Sequence, residues 1–401
     1  MISGKDNPKQ GLCPICRNKE IDTILEIDQV PIHCNLLYAS RNKALQAPRG
    51  DIRLGFCRYC GHVFNKAFKT ELMDYTQYYE NSLYFSPLFQ NYTESLASDL
   101  VDRYDLHGKD IIEIGSGKGD FLKVICKLGD NRGVGFDPTY VPKQSDNGKE
   151  KGQIKFVHQF YSESSALYKA DFICCRHVLE HIQYPFDFLN TVRRSIGKRL
   201  NMVVFFEVPN VMFTIRDLGI WDLIYEHCSF FSKSSLYFLF KSCGFKIYDI
   251  KETYKGQYLC IEALPVKNLQ ISKHYFYGEL KDLSSHIKIF ANKYIDKIKV
   301  WRYNLKQVIQ RKQKVVVWGA GSKGVTFLNI LNTQKKIEYV VDINPRKQEK
   351  YIAGTGQQIV QPEFLRNYRP DMIIVMNPIY QDEIRQITEK LGLNDLHFVC
   401  T

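Results

Sequence analysis

The stretch IIEIGSGKGDF, residues 111–121, decides the fold. A short apolar run leads into Gly115, Gly117 and Gly119, and a helical pattern follows them. Glycines at such a junction permit a tight turn and let the backbone approach a ligand at the helix N-terminus. Several nucleotide-binding folds share this arrangement, and the alternative interpretation is a turn that serves packing only.

Two acidic residues make the prediction more specific. Glu113 lies just before the glycines, and Asp137 closes the next apolar run, GVGFD at 133–137. An acidic residue about 20 positions beyond such glycines is placed to accept hydrogen bonds from ribose hydroxyls. The two features together predict a site for a ligand that contains a nucleoside.

The apolar pattern extends this unit in both directions. Apolar runs alternate with helical stretches through the middle of the chain, at 111–114, 133–137, 171–175 and 202–207. Such alternation is typical of a parallel sheet with crossover helices. Residues 283–311 predict one long helix, because apolar side chains recur there at spacings of three and four. A second α/β unit follows, with strands predicted at 315–319, 337–342 and 371–377.

Length and composition exclude several classes of protein. A chain of 401 residues that is 44% hydrophobic is long enough for two or three packed domains and is not a disordered chain. Its formal net charge of +12 favours anionic partners. No run reaches the roughly 18 apolar residues of a membrane helix, and the N-terminus has no apolar signal core. The sequence therefore predicts a soluble, cytoplasmic protein whose 12 cysteines are thiols or metal ligands.

Four cysteines form two pairs near the N-terminus, Cys13-Pro-Ile-Cys16 and Cys57-Arg-Tyr-Cys60. Two such pairs can hold one zinc ion tetrahedrally, because each pair grips the metal from a tight turn. The wide gap between the pairs requires a small β-subdomain between them. Four thiolates leave no position for water, so the predicted site is structural. The alternatives are unrelated free cysteines or a redox pair.

The segment His177-Val-Leu-Glu180-His181 matches the inverted zinc-peptidase motif H-x-x-E-H. On a helix, the two histidines would share a face and could bind a metal. The motif follows a buried strand directly, and the sequence offers no evident third ligand. A peptidase is therefore the disfavoured interpretation.

A candidate catalytic loop follows the apolar strand that contains Glu207. In IYEHCSFFS, residues 224–232, Glu226 precedes His227. A carboxylate beside an imidazole is a plausible general base with its orienting partner. The alternative is an ordinary surface histidine.

A second glycine motif lies in VVVWGAGSKGVTFL, residues 315–328. Gly319, Gly321 and Gly324 have the G-x-G-x-x-G spacing, and Asp342 follows about 20 residues later. Taken alone, this motif indicates NAD. The competing interpretation, which we favour, is a Rossmann-like unit that carries no cofactor.

The order of these motifs resembles that of the three-domain S-adenosylmethionine-dependent sugar C-methyltransferases. The segments that carry the resemblance are the two cysteine pairs, YENSLYFSP (79–87), EIGSGKGDFL (113–122), CRHVLEHI (175–182), EVPN (207–210), YEHCSFFS (225–232), WGAGSKG (318–324), VVDINPRK (340–347) and GTGQQI (354–359). They span nearly the whole chain. Each motif is moderately specific, whereas their shared order and spacing are highly specific.

The resemblance implies an α/β fold with a zinc-binding domain over residues 1–68, a class I methyltransferase domain over 69–282, and a linker helix with a Rossmann-like domain over 283–401. It implies S-adenosylmethionine as the methyl donor, zinc as a structural ion and a nucleotide-sugar as the small-molecule substrate. The positions implied to bind the donor are Tyr79, Ser82, Glu113, Gly115, Ser116, Gly117, Asp137, Pro138 and His177. The implied zinc ligands are Cys13, Cys16, Cys57 and Cys60.

The resemblance also implies a catalytic Glu-His pair, here Glu226 and His227, with His227 as the general base. Well-known members read Tyr-His-Glu-His at this loop, whereas this chain reads Ile224-Tyr225-Glu226-His227. The tyrosine is displaced by one position, which makes Tyr225 a third catalytic candidate of open role.

Rival hypotheses are an O- or N-methyltransferase, with a residue such as His181 as base, an NAD-dependent oxidoreductase, and a zinc-containing nucleic-acid-binding protein. The favoured hypothesis has no nucleic-acid or membrane partner, and a monomer or small homo-oligomer is expected.

Overall fold

The computed structural model describes residues 11–73, 79–140, 153–267, 277–334 and 336–401. Its strands form three sheets, two of which are largely or wholly parallel and alternate with helices. The α/β class predicted from the sequence is confirmed.

The N-terminal sheet is antiparallel and consists, in order, of β1 (Ile21–Pro31), β2 (Arg49–Cys57), β3 (Val63–Asn65) and β9 (Ser229–Phe230). A short helix, α1 (Arg41–Leu45), connects β1 to β2. The small β-structure expected between the cysteine pairs is thus present. Strand β9 comes from the middle of the chain, which the sequence did not indicate, and it holds the segment after His227 against the N-terminal sheet.

The central sheet contains β4 (Asp110–Ile114), β5 (Arg132–Phe136), β6 (Ile154–Val157), β7 (Phe172–Arg176), β8 (Val203–Pro209), β10 (Phe245–Thr253) and β11 (Tyr258–Pro265). Their order across the sheet is β10-β11-β8-β7-β4-β5-β6. Strand β11 is antiparallel to β8 and β10, and the remaining neighbours are parallel. Strands β4, β5, β7 and β8 are the four that the apolar runs predicted.

Helices α2 (Pro87–Tyr104), α3 (Asp120–Gly129), α4 (Pro185–Ile196), α5 (Val211–Ile215) and α6 (Lys233–Ser242) accompany the central sheet. Helix α3 buries Phe121, Leu122 and Ile125 in a core shared with β4. Burial of such a side chain contributes roughly 1.5–3 kcal/mol. This packing fixes where α3 begins and therefore holds the glycine turn that precedes it.

The long helix predicted at 283–311 is α7 (Tyr277–Gln310). Its buried face is the predicted one and comprises Phe290, Tyr294, Ile298, Trp301, Leu305 and Val308. These side chains belong to one core with residues of the N-terminal and C-terminal sheets, so α7 joins the two sheets. Within the described ranges, neither α7 nor another helix combines the length and hydropathy needed to cross a bilayer.

The C-terminal sheet is parallel and has the order β14 (Gln358–Val360), β13 (Tyr339–Val341), β12 (Val315–Trp318), β15 (Met372–Val375) and β16 (His397–Cys400). Its helices are α8 (Ser322–Ile330), α9 (Leu365–Tyr368) and α10 (Gln381–Lys390). The second predicted α/β unit is therefore present, while the domain limits at residues 68 and 282 stay predictions.

Polar contacts connect the carboxyl edges of the central and C-terminal sheets. The side-chain amides of Gln257 and Asn377 exchange two hydrogen bonds, of 2.9 and 3.0 Å. The hydroxyl of Tyr254 donates to that of Tyr380 at 2.7 Å. Because ligands of open α/β sheets bind at the carboxyl ends of the strands, a site is expected near these two edges.

Candidate active site

The glycine turn after β4 is shaped to receive a ligand. Gly115 and Gly117 have φ of 72° and 54°, in the left-handed region that favours glycine. A side chain at Gly115 would lie 2.1 Å from Val178, whereas no described residue other than the adjoining Ser116 and Lys118 comes within 4 Å of the position that a Gly117 Cβ would take. The Oγ of Ser116 is buried and has no hydrogen-bond partner among the described residues. An open glycine next to an unsatisfied hydroxyl fits a polar ligand bound over this turn.

Asp137 lies at the end of β5, opposite the turn. One carboxylate oxygen accepts from the Gly117 amide at 2.7 Å, and the other accepts from the Thr139 amide at 2.8 Å. A carboxylate has about four acceptor positions, so it can also receive ribose hydroxyls. Pro138 follows it half-buried. Glu113 and Asp137, the two acidic residues that the sequence singled out, therefore lie near the carboxyl ends of the neighbouring parallel strands β4 and β5.

Glu113 is the buried member of that pair. Its Oε2 accepts from the Leu122 amide at the start of α3, at 3.1 Å. Burial raises its pKa to about 8, against the lowering effect of Arg176 and the Leu122 hydrogen bond. Glu113 thus holds α3 in place beneath the turn and carries a proton at neutral pH.

The segment that follows β7 differs from the predicted helix. His177 has a left-handed φ of 54°, and Leu179–His181 form a single 3₁₀ turn. The expectation that His177 and His181 share a helix face is wrong, because the chain turns sharply after β7 to follow the glycine loop. Val178 fills the space against Gly115, as the short Cβ distance there shows.

A buried carboxylate explains the turn at His177. Glu207, fully buried in β8, lies 2.8 Å from His177 Nε2 and 2.8 Å from the Arg176 guanidinium, and it accepts from the Tyr92 hydroxyl. Burial alone would raise the pKa of Glu207, but Arg176 and His177 hold it below its ordinary value. Burial likewise opposes protonation of His177, yet Glu180 and Glu207 raise its pKa to about 9. His177 is therefore an imidazolium at the carboxyl end of β7.

His227 lies beside His181 in the predicted catalytic loop. The two rings are 5.0 Å apart and nearly perpendicular. His181 Nδ1 is 3.0 Å from the backbone oxygen of Glu226, so that nitrogen donates its proton. Burial, His181 and Lys323 hold the pKa of His227 well below its ordinary value. His227 is therefore neutral at physiological pH and has a lone pair available to accept a proton.

Glu226 does not contact His227 as the sequence predicted. Its side chain is fully buried and accepts from Tyr79 Oη at 2.8 Å and from the Cys34 amide at 2.9 Å, and His33 Nδ1 lies 3.3 Å away. The neighbouring side chains 226 and 227 thus have different partners. Glu226 ties the catalytic loop to the N-terminal sheet, and the carboxylate grouped with His227 and His181 is Glu180.

Tyr225 lies away from this cluster. Its hydroxyl accepts from the Lys69 amide at 2.9 Å, and its ring packs over Gly50 and Phe68. This hydroxyl is committed to the segment that follows the N-terminal sheet, and the group formed by Glu180, His181 and His227 does not include Tyr225. A catalytic role of Tyr225 stays a prediction.

Residues 79–82 contact the glycine turn, the catalytic loop and the C-terminal unit. Tyr79 reaches Glu226, and Ser82 Oγ donates to Asp120 at the start of α3, at 3.3 Å. Between them the buried Glu80 pairs with Lys118 of the glycine turn and with Arg346 of the C-terminal unit, the latter at 3.3 Å. The segment predicted to bind the donor therefore contacts both the glycine turn and the catalytic loop.

The four N-terminal cysteines come together. Sγ of Cys13 is 3.6 Å from that of Cys60, and Sγ of Cys16 is 3.5 Å from that of Cys57. All four sulfur atoms lie within 4.8 Å of one another. Tetrahedral zinc with bonds of about 2.3 Å separates its sulfurs by about 3.8 Å, so this group fits the ion.

Side chains that follow the second glycine motif hydrogen-bond to the backbone of its turn. Asp342 accepts from the amides of Ala320 and Asn344, each at 2.8 Å. The buried Lys347 ammonium donates to the Ala320 carbonyl at 3.3 Å. Asp342 thus holds its turn in the same way as Asp137 holds the first one, and the feature that distinguishes the second turn is the buried Lys347.

Sequence reasoning missed several residues of the site. His33 and Cys34 come from the loop that follows β1, 193 and 192 residues before Glu226, and no local pattern marks them. Tyr92 occupies an ordinary helix position. Glu180 belongs to the H-x-x-E-H match that the sequence shows. The structure groups it with His181 of that motif and with His227.

Two parts of the chain match known families. Residues 89–250 match the family described as a methyltransferase domain, and residues 280–401 match the family described as a C-methyltransferase C-terminal domain. A curated relative, the C-methyltransferase NovU of Streptomyces niveus, is 23% identical over 307 residues, which cover 71% of this chain and 70% of that protein.

Solved methyltransferase structures resemble less than half of the chain. The 1,6-didemethyltoxoflavin-N1-methyltransferase of Burkholderia thailandensis, solved with S-adenosylhomocysteine, has a TM-score of 0.35 at 14% identity and covers 45% of this chain and 82% of that one. The magnesium protoporphyrin IX methyltransferase of Synechocystis PCC 6803, solved with S-adenosylmethionine, has a TM-score of 0.34 at 16% identity, with coverages of 45% and 80%.

Proposed function

This chain is a class I S-adenosylmethionine-dependent methyltransferase, and we propose that it methylates a carbon of a nucleotide-linked ketosugar with His227 as the general base. The proposal rests on the path of residues 177–181, which connects the glycine turn to His227. Val178 packs against the Gly115 turn at one end, and His181 packs against His227 at the other. A methyl donor over the glycine turn and a substrate at His227 would therefore be neighbours.

Two findings support carbon as the methyl acceptor. The family matched by residues 280–401 is described as belonging to C-methyltransferases, and the relative from Streptomyces niveus is a C-methyltransferase. Carbon methylation requires a base, because a carbon next to a ketone becomes nucleophilic only after it loses a proton. The half-buried, neutral His227 supplies that base.

Two basic side chains near the glycine turn support an anionic nucleotide-sugar. Lys118 and Arg346 both pair with one carboxylate, that of Glu80. Arg346 stays 41% exposed beyond that pair. A guanidinium with free donors is a suitable partner for a pyrophosphate.

In the proposed reaction, His227 takes the proton from the carbon next to the ketone, and the electron pair of that C–H bond forms the enolate. S-adenosylmethionine supplies a methyl group made electrophilic by its sulfonium. The enolate carbon forms the new C–C bond as the bond between sulfur and methyl breaks, and the sulfonium becomes a neutral thioether. His227 then returns its proton to solvent. Holding the reactants in this geometry supplies much of the rate.

The donor-binding residues in this proposal are those around the glycine turn. Asp137 accepts from the ribose hydroxyls, and the backbone at Gly115 and Gly117 lies along the ligand. Ser116 gains the partner that its buried hydroxyl needs. His177, an imidazolium, suits the carboxylate end of the donor. Zinc, held by the four N-terminal cysteines, has a structural role in this scheme.

An NAD-dependent reaction is the disfavoured alternative. The buried Lys347 ammonium donates to the Ala320 carbonyl and lies 3.9 Å from the position that a Gly321 Cβ would take, so it occupies space beside the C-terminal glycine turn. Gly324 is also required without any ligand, because a Cβ there would lie 2.0 Å from the Gly319 carbonyl oxygen. The glycines therefore have a structural explanation.

The test is methyl transfer to a panel of nucleotide-ketosugars with a donor that carries a deuterated methyl group. Mass spectrometry identifies the acceptor, and NMR of the product shows whether the methyl group is bonded to carbon. Label on an oxygen or a nitrogen would overturn the proposal.

A further inference from the structure

Glu180, His181 and His227 form a group that the methyl-transfer scheme uses only in part. One ligand atom from each of the three lies within 4.8 Å of the others. Two imidazoles and one carboxylate are a ligand set that suits divalent transition ions, and three protein ligands leave a position open. The proposed reaction needs the His227 lone pair but gives Glu180 no task.

Glu180 provides the independent observation. Its side chain is 2% exposed, and its Oε2 has no hydrogen-bond partner among the described residues. The other oxygen, Oε1, lies 3.7 Å from His177 Nδ1, which leaves Oε2 for the histidine pair. A buried carboxylate oxygen without a donor is costly, and a cation between it and the imidazoles would satisfy it.

His181 is already oriented as metal-binding histidines usually are. Its Nδ1 donates to the Glu226 carbonyl at 3.0 Å, so Nε2 is the nitrogen through which the ring would bind an ion. Metal-ligating histidines commonly donate their second N–H to a backbone carbonyl or a carboxylate in this way. This hydrogen bond fixes the tautomer and the ring plane.

The nearest cations each have an anionic partner of their own. Lys323, whose charge lowers the pKa of His227, pairs with Asp222 at 2.6 Å. His177 lies 2.8 Å from Glu207 Oε1 and 3.7 Å from Glu180 Oε1, so it is shared between two carboxylates. The oxygen that an added ion would satisfy is therefore Oε2 of Glu180.

We propose that Glu180, His181 and His227 form a second metal site, for Zn²⁺ or a similar divalent transition ion, and that its occupancy inhibits methyl transfer. The ion would take the lone pair with which His227 accepts the substrate proton, so metal and proton transfer compete for one nitrogen. The inhibitory consequence rests on the proposed function, whereas the binding site itself does not.

Cobalt(II) binding to the purified full chain, with its zinc retained, tests the site without any substrate. We expect one additional equivalent of Co²⁺ with visible d–d absorption and without the intense near-ultraviolet bands of thiolate ligation, which would mark the cysteine group. Glu180→Gln and His181→Asn should each weaken this binding about tenfold or more. His286→Ala removes a histidine that lies 3.5 Å from a carboxylate of α7 and should leave binding unchanged.

No additional Co²⁺ in the wild-type chain, or binding that neither substitution weakens, would overturn the site. Melting curves and donor binding establish that both variants are folded. In the methyl-transfer assay, added Zn²⁺ should inhibit the wild type, and a chelator should reverse the inhibition. Cobalt binding without zinc inhibition would overturn the competition at His227. Full turnover by His227→Asn would overturn the general-base proposal only. The metal site would still stand or fall by the cobalt titration.

Discussion

The hydroxyl of Tyr79 donates to Oε2 of Glu226 at 2.8 Å, across 147 residues of sequence. This bond joins the segment that borders the glycine turn to the loop that carries His227. Glu226 is fully buried and its other oxygen accepts from the Cys34 amide, so three parts of the chain meet at one carboxylate. The position of the catalytic loop therefore depends on hydrogen bonds to Glu226.

Tyr79→Phe should lower both stability and turnover. Loss of a hydrogen bond to a buried charge costs roughly 1.5–3 kcal/mol, and the loop that carries His227 would lose one of its anchors. Thermal melting and the methyl-transfer rate measure the two effects. Tyr303→Phe, on an exposed position of α7, is the control and should change neither. Equal behaviour of the two variants would argue against the anchoring role of Tyr79.

Cys57→Ser should release zinc and unfold the N-terminal sheet while harming donor binding less. Removal of one ligand breaks the tetrahedral set, and Cys57 ends β2, which pairs with both β1 and β3. Elemental analysis of protein purified without chelator should find one zinc ion per wild-type chain.

Cys400→Ser is the matched control, since Cys400 lies in β16 and outside the cysteine group, and it should retain the zinc. A wild-type chain without stoichiometric zinc would refute the assignment of the four cysteines.

Asp137→Ala should weaken S-adenosylmethionine binding about ten- to a hundredfold, because the ribose hydroxyls lose a charged acceptor. Isothermal titration measures the affinity. Asp342→Ala is a matched control, since Asp342 occupies the equivalent position of the second glycine motif and accepts two backbone amides there. It should destabilise the C-terminal unit and leave donor affinity unchanged. Saturable NADH binding to the wild type would revive the oxidoreductase alternative.

Glu113→Gln should make stability less dependent on pH. The folded-state pKa of Glu113, about 8, lies above the ordinary 4.5, so its contribution to stability is complete below 4.5 and is lost as pH rises through 8. Glutamine has no such titration and still offers an oxygen to the Leu122 amide. Melting temperatures across that interval should therefore favour the variant increasingly as pH rises. Glu163→Gln, at an exposed ion pair, is the control, and parallel curves for Glu113→Gln and wild type would contradict the assignment.

The sequence predicted the helices and strands better than the contacts between them. Strands such as β4 and β12 are short, continuous apolar runs next to glycines, and both sequence and structure mark them in the same place. The turn at His177 was predicted as a helix, because its cause is Glu207 on the neighbouring strand. Local periodicity contains no information about a charge that approaches from another strand.

The catalytic loop shows the same limit at the level of single residues. Adjacent Glu226 and His227 invited the prediction of a pair, since a carboxylate beside an imidazole is a familiar arrangement. His33, in the loop that follows β1, competes for that carboxylate, and the fold brings it there from 193 residues away. The position of Glu180 beside the two histidines likewise follows from the 3₁₀ turn after β7.

The last prediction concerns His227 itself. His227→Asn removes the proton acceptor while keeping a polar side chain of similar size. General-base contributions are typically about 10²–10⁴-fold, so turnover should fall by that order with donor affinity nearly unchanged. Glu226→Gln should instead lower the melting temperature, because its partners are Tyr79, Cys34 and His33 and not the imidazole.

Two measurements identify the base and separate it from a structural effect. The wild type should exchange the proton next to the substrate ketone with deuterated water in the absence of methyl transfer, and His227→Asn should not. Because the pKa of His227 lies well below 6.5, wild-type kcat/KM should be flat at neutral pH and should fall only as the acidic side is reached, where the imidazole gains a proton. Full exchange in His227→Asn, with loss of exchange in His181→Asn, would transfer the base assignment to His181.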